Sequence, residues 1–157
     1  MSEKEPNNLL ASLSTDVKTH QLSKLSILRG KSAFEKLFKA PTAFRLGSIL
    51  FRFCPFHFAK SNPISENRLQ TAFIAPKHIG NAVTRNKTKR LLRESFRTSN
   101  NELHHFLRKN SINLHLALIA RYPNPDFELV KYQMHKGLKN LIEILAHDID
   151  TFKHSEE

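Results

Sequence analysis

The chain has little of what protein active sites are usually built from. Among its 157 residues there is one cysteine, Cys54. A lone thiol excludes an internal disulfide and a multi-thiolate metal site, and it fits a reducing compartment. Within an apolar stretch it reads as a small buried hydrophobe. There are only four glycines, and they form no Gly-rich loop able to cradle phosphate. Acidic residues are scarce, 14 Asp and Glu against 25 Lys and Arg. The pairs Asp126/Glu128 and Asp148/Asp150 lie near no nucleophile and read as helix caps and end charges. Of nine histidines, His104 and His105 are adjacent, which keeps them off a common helix face, and no His-Glu-x-x-His spacing occurs. We therefore expect no protein-borne catalytic residue and no bound metal. No run approaches the ~20 apolar residues that span a bilayer, and the N-terminus has no basic-then-apolar secretory pattern. A cytoplasmic protein without membrane partners is expected.

Positive charge is what the chain has in excess. A net charge of +11 points to a polyanionic partner, nucleic acid ahead of membrane. The charge is concentrated from Arg85 to Arg97, RNKTKRLLRESFR, where six basic side chains and one acid occupy thirteen residues. At about 100° per residue on a helix, Lys89, Arg90, Arg93 and Arg97 share one arc, and Leu91, Leu92 and Phe96 fall mostly on another. One face can pack while the other carries charge. Arg85, Lys87 and Lys89 would stand at the helix start, where acids are normally favoured. A nucleic-acid backbone would relieve that repulsion. An ordinary solvated basic face fits the same pattern.

Length suits one domain with a core of its own. Residues 1–22 read as a flexible polar extension, with Leu9, Leu10 and Leu13 able to form a helical turn. Residues 23–148 read as a single α/β domain, and 149–157 as a frayed polar tail. Ser32 with Glu35 three residues on predicts a capping box, opening a short helix with Phe34, Leu37 and Phe38 on one face. Gly47–Phe56 predicts a strand with Ile49, Phe51 and Phe53 on one side and Leu50, Arg52 and Cys54 on the other. Pro55 argues against a long central strand there, and Ala59–Asn67 reads as a loop. Leu69–Ala75 predicts the next strand. The basic helix follows, capped by Asn81 or more plausibly by Thr84, with a short continuation after Asn100-Asn101. Ile112–Ala120 predicts a buried strand and Phe127–Ala146 a closing amphipathic helix. The fold class is α/β (α+β): a small mixed sheet of about four strands packed with helices, in αβββαβα-like order.

Pro76-Lys77-His78-Ile79-Gly80-Asn81-Ala82-Val83 runs directly into Thr84-Arg85-Asn86-Lys87, then Lys89-Arg90 and Arg93-Glu94. This resembles the signature of the bacterial ribonuclease P protein subunit, in which a strand end and Gly-Asn-Ala-Val lead into an Arg-Asn-Arg helix. The match covers Gly80, Ala82, Val83, Arg85, Asn86, Lys89, Arg90, Arg93 and Glu94. Lys87 stands where the family usually has Arg, keeping charge but losing the planar fork that clamps phosphate. His78 replaces a common basic residue, and Ala72 a frequent Gly.

The resemblance implies a left-handed crossover through the basic helix, against the usual right-handed rule. It also implies a catalytic RNA subunit that carries the active site and its Mg²⁺ ions, with precursor tRNA as substrate and no obligate protein partner. Arg85, Asn86, Lys87, Lys89, Arg90 and Arg93, with Arg97 and Lys77 beside them, become candidate RNA contacts. A cleft between sheet and basic helix would hold the single-stranded 5′ leader, with Phe34 and Phe38 matching the family's paired aromatics and Arg52 supplying charge. Seven of the twelve phenylalanines fall between residues 34 and 58; most read as core, although stacking on unpaired bases is the competing use. Two other functions use the same charge: a basic ribosomal or RNA-chaperone protein, and a protein-only nuclease, which the missing carboxylate cluster disfavours.

Overall fold

A two-residue turn at Gly47-Ser48 folds the predicted Gly47–Phe56 strand into a hairpin. In the computed structural model, which describes residues 22, 24–40, 42–56, 69–123 and 126–155, β1 (Ala43–Leu46) pairs antiparallel with β2 (Ile49–Phe56), and Leu46 faces Ile49. Gly47 has φ +58°, the positive value that the first central residue of such a turn needs and that glycine takes without steric cost. The four residues of β1 are too few to announce themselves by alternation. The predicted extension before residue 22 and the Ala59–Asn67 loop lie outside the described residues.

The sheet runs β1-β2-β4-β3, with β3 (Leu69–Ile74) and β4 (Asn113–Ala120) parallel and the other pairs antiparallel. Pro55 sits in a central strand after all, because its missing N–H costs nothing there. Phe53 donates to Thr42, so alternate residues of β2 turn their amides toward β1, and β1 has ended before Pro55 is reached. The outer edge of β3 is covered at Thr71, where Leu28 donates to its carbonyl, which blunts that edge against further pairing.

Both faces of the sheet are packed. On one lie Ile49, Phe51, Phe53, Leu114, Leu116 and Leu118, all buried, beneath α2 (Ala82–Ser99), α3 (Asn101–Asn110) and α4 (Phe127–Ser155). On the other, α1 (Lys31–Lys39) buries Leu37 against Ala72, Ala117 and Ile119. The predicted continuation after Asn100-Asn101 is α3, ended by Ser111 in the left-handed region (φ 55°), with Ile112 donating to Leu107 and Ser111 to Arg108. That is the paired closure of a Schellman end.

Three boundaries differ from the expectation. The predicted Ser32 cap is not used: α1 begins at Lys31 after Gly30, whose φ of +95° turns the chain two residues earlier, with no side-chain cap. Helix α4 runs past Ala146 to Ser155, because Leu141, Leu145 and Ile149 continue its apolar stripe at four-residue spacing and Ile149 still packs on the core. The chain before residue 23 is not wholly outside the domain either, since Leu22 packs on that core.

Candidate nucleic-acid interface

Helix α2 is built to hold one face down and leave the other free. Thr88, Leu92, Ser95 and Phe96 are buried, at positions three and four apart. The two buried hydroxyls satisfy themselves within the helix, Thr88 donating to the Thr84 carbonyl (2.9 Å) and Ser95 to that of Leu91 (2.7 Å). Phe96 meets Phe73 of β3 edge-on at 5.6 Å, and α2 packs along α4. The cap is Asn81, whose side chain accepts from the Thr84 amide at 2.9 Å. Thr84 is therefore not the cap. With the helix starting at Ala82, only Arg85 of the three basic residues lies in the first turn, and the expected crowding of charge at the helix start is smaller than the sequence suggested.

Asn86, Lys87, Arg90 and Arg93 are exposed, while Arg85, Lys89 and Arg97 are half-buried at the margins of the packed face. Among the described residues, no ion pair engages Arg85, Lys87, Lys89, Arg90 or Arg93. The Arg93 guanidinium lies over the Phe73 ring, 5.6 Å from its centre, a contact that orients the charge without neutralising it. Arg97 differs. It donates from Nε (3.0 Å) and Nη2 (2.6 Å) to the two oxygens of Glu94. That hydrogen-bonded pair holds the Glu94 carboxyl below its ordinary range and raises Arg97 further. Lys77 is exposed in a short 3-10 turn, Lys77–Ile79, just ahead of α2.

Phe34, Phe38 and Arg52 come together, but not beside α2. The two rings are stacked at 6.4 Å, with Phe34 half-buried and Phe38 47% exposed. The Arg52 guanidinium lies 5.5 Å from the centre of the Phe38 ring and donates to the carbonyls of Phe38 (3.3 Å) and Ala40 (3.1 Å). This cluster sits on the α1 face of the sheet, whereas α2 packs on the opposite face through Phe73 and Phe96. The expected cleft between sheet and basic helix is thus corrected: the aromatic surface lies between α1 and the sheet. Side-chain alternation along β2 sends Arg52 away from Phe51 and Phe53, and only the tertiary position of α1 decides which face becomes the aromatic one.

Sequence reasoning missed two neighbours on that face. Phe56 meets His115 edge-on at 4.6 Å, and burial together with the Lys36 charge pushes the His115 imidazole below its ordinary value. Alternation from Cys54 would have found Phe56; nothing local would have brought His115 to it. Cys54 is half-buried there rather than fully enclosed. Among the described residues, no group of three or more His, Cys, Asp or Glu is placed to hold a metal ion, and no helix is long and apolar enough to cross a membrane.

The ribonuclease P family model matches residues 22–142, the region that spans the sheet, α1, α2, α3 and most of α4. This chain belongs to the ribonuclease P protein family. The ribonuclease P protein of Staphylococcus aureus shares its fold at a TM-score of 0.51 and 20% identity, over 74% of this chain and 94% of that one. The ribonuclease P protein of Thermotoga maritima aligns at a TM-score of 0.48 and 20% identity, over 73% and 96%. No curated protein matches in sequence. As a ribonuclease P protein, the chain is an RNA-binding subunit that associates with the ribonuclease P RNA in tRNA processing. That membership sets aside the reading as a basic ribosomal protein.

Proposed function

We propose that α2 is the principal RNA contact, with Asn86, Lys87, Arg90 and Arg93 reaching phosphates and Arg85, Lys89, Arg97 and Lys77 at its margins. The unpaired exposed arc of α2 carries this reading. Phosphate oxygens suit both forked guanidinium groups and ammonium charges, and the one acid of α2, Glu94, is paired with Arg97, so Lys87, Arg90 and Arg93 have no ion-pair partner to displace first. The α1 face takes the 5′ leader of precursor tRNA, with Phe34 and Phe38 offering rings to unpaired bases and Arg52 a charge beneath them.

Chemistry belongs to the RNA in this proposal. In this reading the Mg²⁺ ions would be held by the RNA subunit and would supply the activation of water against the phosphodiester. The protein holds the leader, raises substrate affinity and assists release of the mature 5′ end, in the cytoplasm. The test is reconstitution from purified protein, ribonuclease P RNA and 5′-extended tRNA, assayed singly and together. Protein with RNA should cleave under low-Mg²⁺ conditions where RNA alone is slow. Sustained Mg²⁺-dependent cleavage by RNA-free protein that is lost in an Arg85/Arg93 double substitution carried through the same purification refutes the division of labour; cleavage that persists in that variant is a contaminating nuclease.

A further inference from the structure

At the end of the sheet where β3 and β4 finish, the protein exposes aromatic surface that the proposed function does not use. Tyr122 is 53% exposed, Tyr132 62% and Leu129 48%. Single exposed hydrophobes are ordinary. Here each tyrosine is paired with a cation: the Arg121 guanidinium lies 5.2 Å from the centre of the Tyr122 ring, and the Lys136 ammonium 5.9 Å from that of Tyr132.

The residues beside the two tyrosines are tied to the β1–β2 turn. Arg121 donates from its backbone to Ser48 (2.9 Å) and from Nη1 to Gly47 (3.0 Å). The Gln133 side chain accepts from the Ser48 amide (3.0 Å) and hydroxyl (2.6 Å). The residues next to both tyrosines are therefore anchored on the same two-residue turn. Gly47 makes this possible, since a Cβ there would collide with the Gln133 side chain. On α4, Leu129, Tyr132, Lys136 and Lys139 follow one another at spacings of three and four, which puts them along one stripe. Because β3 and β4 are adjacent and parallel, α2 and α4 begin at the same end of the sheet, so this stripe and the basic start of α2 share one end of the molecule.

We propose that Arg121, Tyr122, Tyr132 and Lys136 form a second RNA-binding surface, which stacks unpaired nucleotides of the ribonuclease P RNA. The inference rests on the assignment of α2 as an RNA contact. A ring with a cation at its side is the combination that single-strand sites use, the ring for a base and the cation for the neighbouring phosphate. Charge complementarity selects this occupant: the chain carries +11 overall, and both rings are accompanied by positive groups.

The experiment measures binding of labelled ribonuclease P RNA, a 12-nucleotide oligoadenylate and a blunt 12-base-pair RNA duplex at several salt concentrations. Both tyrosines are more than half exposed, so a Tyr122→Leu/Tyr132→Leu variant keeps the fold, which a thermal melt checks. It should bind the oligoadenylate and the ribonuclease P RNA about tenfold more weakly or worse, in line with the loss of stacked bases. Duplex affinity should change less than twofold and the salt slope should stay constant, while Tyr122→Phe/Tyr132→Phe restores binding. Equal losses on duplex and single strand overturn the proposal. So does unchanged RNA binding accompanied by loss of self-association, which would make the surface a protein contact. An Arg90→Gln/Arg93→Gln variant separates the two readings. If it loses RNA while the Leu variant does not, α2 stands and this surface falls; if it binds normally, the assignment of α2 itself has failed.

Discussion

Replacing Glu94 by Gln removes the single acid of α2 and releases Arg97 from a two-point ion pair. The consequence for RNA binding has a definite sign. A phosphate seated on the arc of Arg90 and Arg93, about 7 Å from the carboxylate, is repelled by roughly 0.6 kcal/mol at the dielectric of water, and physiological salt screens about half of that. The freed Arg97 fork adds one charge-assisted phosphate contact. Together these tighten binding by about 1 kcal/mol, or about fivefold, and steepen the log–log salt dependence by roughly 0.7 for single strands and 0.9 for duplex. The cost in stability is small, because exposed helical pairs of this spacing contribute only about 0.3–0.5 kcal/mol. Anisotropy titrations of the ribonuclease P RNA at four salt concentrations, with a thermal melt as control, read both quantities. In the same assay Arg93→Gln should flatten the slope by one contact, whereas Arg97→Gln in the unmodified background should barely change it. If Glu94→Gln leaves affinity and slope untouched, Arg97 lies outside the RNA footprint. If it weakens binding, the pair orients Arg97 for phosphate and the repulsion argument is wrong. Acidification is no substitute for the mutation. The hydrogen bond from Arg97 holds the Glu94 carboxyl below its ordinary range, so the pair persists above that range and is lost only as pH falls through the lowered value.

Other outcomes follow from the packing. Phe38→Leu, at a ring 47% exposed, should leave the melting temperature within a few degrees and mature-tRNA binding unchanged, but weaken binding of leader-bearing tRNA by up to about 1–3 kcal/mol per stacked base; equal binding losses for the two tRNAs would remove the leader assignment. Gly137→Ala should destabilise the fold by at least about 1–3 kcal/mol, despite the better helix propensity of Ala, because the new Cβ meets the Phe51 ring in the core; a rise in denaturation midpoint would contradict that packing. His104 and His115 are both held below the ordinary histidine value, by burial first and then by Arg108 and Lys36 respectively. Their contribution is complete above about pH 6.5 and shrinks as pH falls toward their lowered folded values, so stability should decline with acidification in that window, and His104→Asn should flatten the decline in urea melts.

Much of this was legible where periodicity is strong. Ile49, Phe51 and Phe53 are buried on one face as their alternation predicts, and Leu92 and Phe96 anchor α2 as the helical spacing predicts. What the sequence hid was set by neighbours or by single dihedral angles. Asn81 and Thr84 are both good caps, and the choice between them depends on where the preceding turn releases the chain. Ser32 with Glu35 is a sound capping pattern, yet the positive φ of Gly30 begins the helix before it can act. Strand β1 is visible only as the partner of β2. The exposed basic arc of α2 could be read from charge, but the pairing that withdraws Arg97 needs side-chain geometry. The aromatic cluster was named correctly and put beside the wrong helix, because no local pattern says on which side of a sheet a short helix will lie.

That last correction has a physical consequence for how helices α1 and α2 are held. Helix α2 is tied down through Leu92, Phe96 and its packing along α4, so its basic arc rides on a firmly packed support. Helix α1 buries only Leu37 completely and has no side-chain N-cap. Its other end is secured by Arg52, which donates to the last carbonyls of the helix while lying against the Phe38 ring. The Arg52 Nε is buried without a hydrogen-bond partner, a cost of about 1–3 kcal/mol that folded proteins seldom carry without a reason. Closing the end of α1 and keeping a cation beneath an exposed aromatic supply that reason together. An apolar replacement would remove the orphaned donor but release the carbonyls, and a neutral polar one would lose the charge. The α1 face thus draws its local stability and its positive charge from one side chain, whereas on α2 the packed residues and the charged residues are different sets.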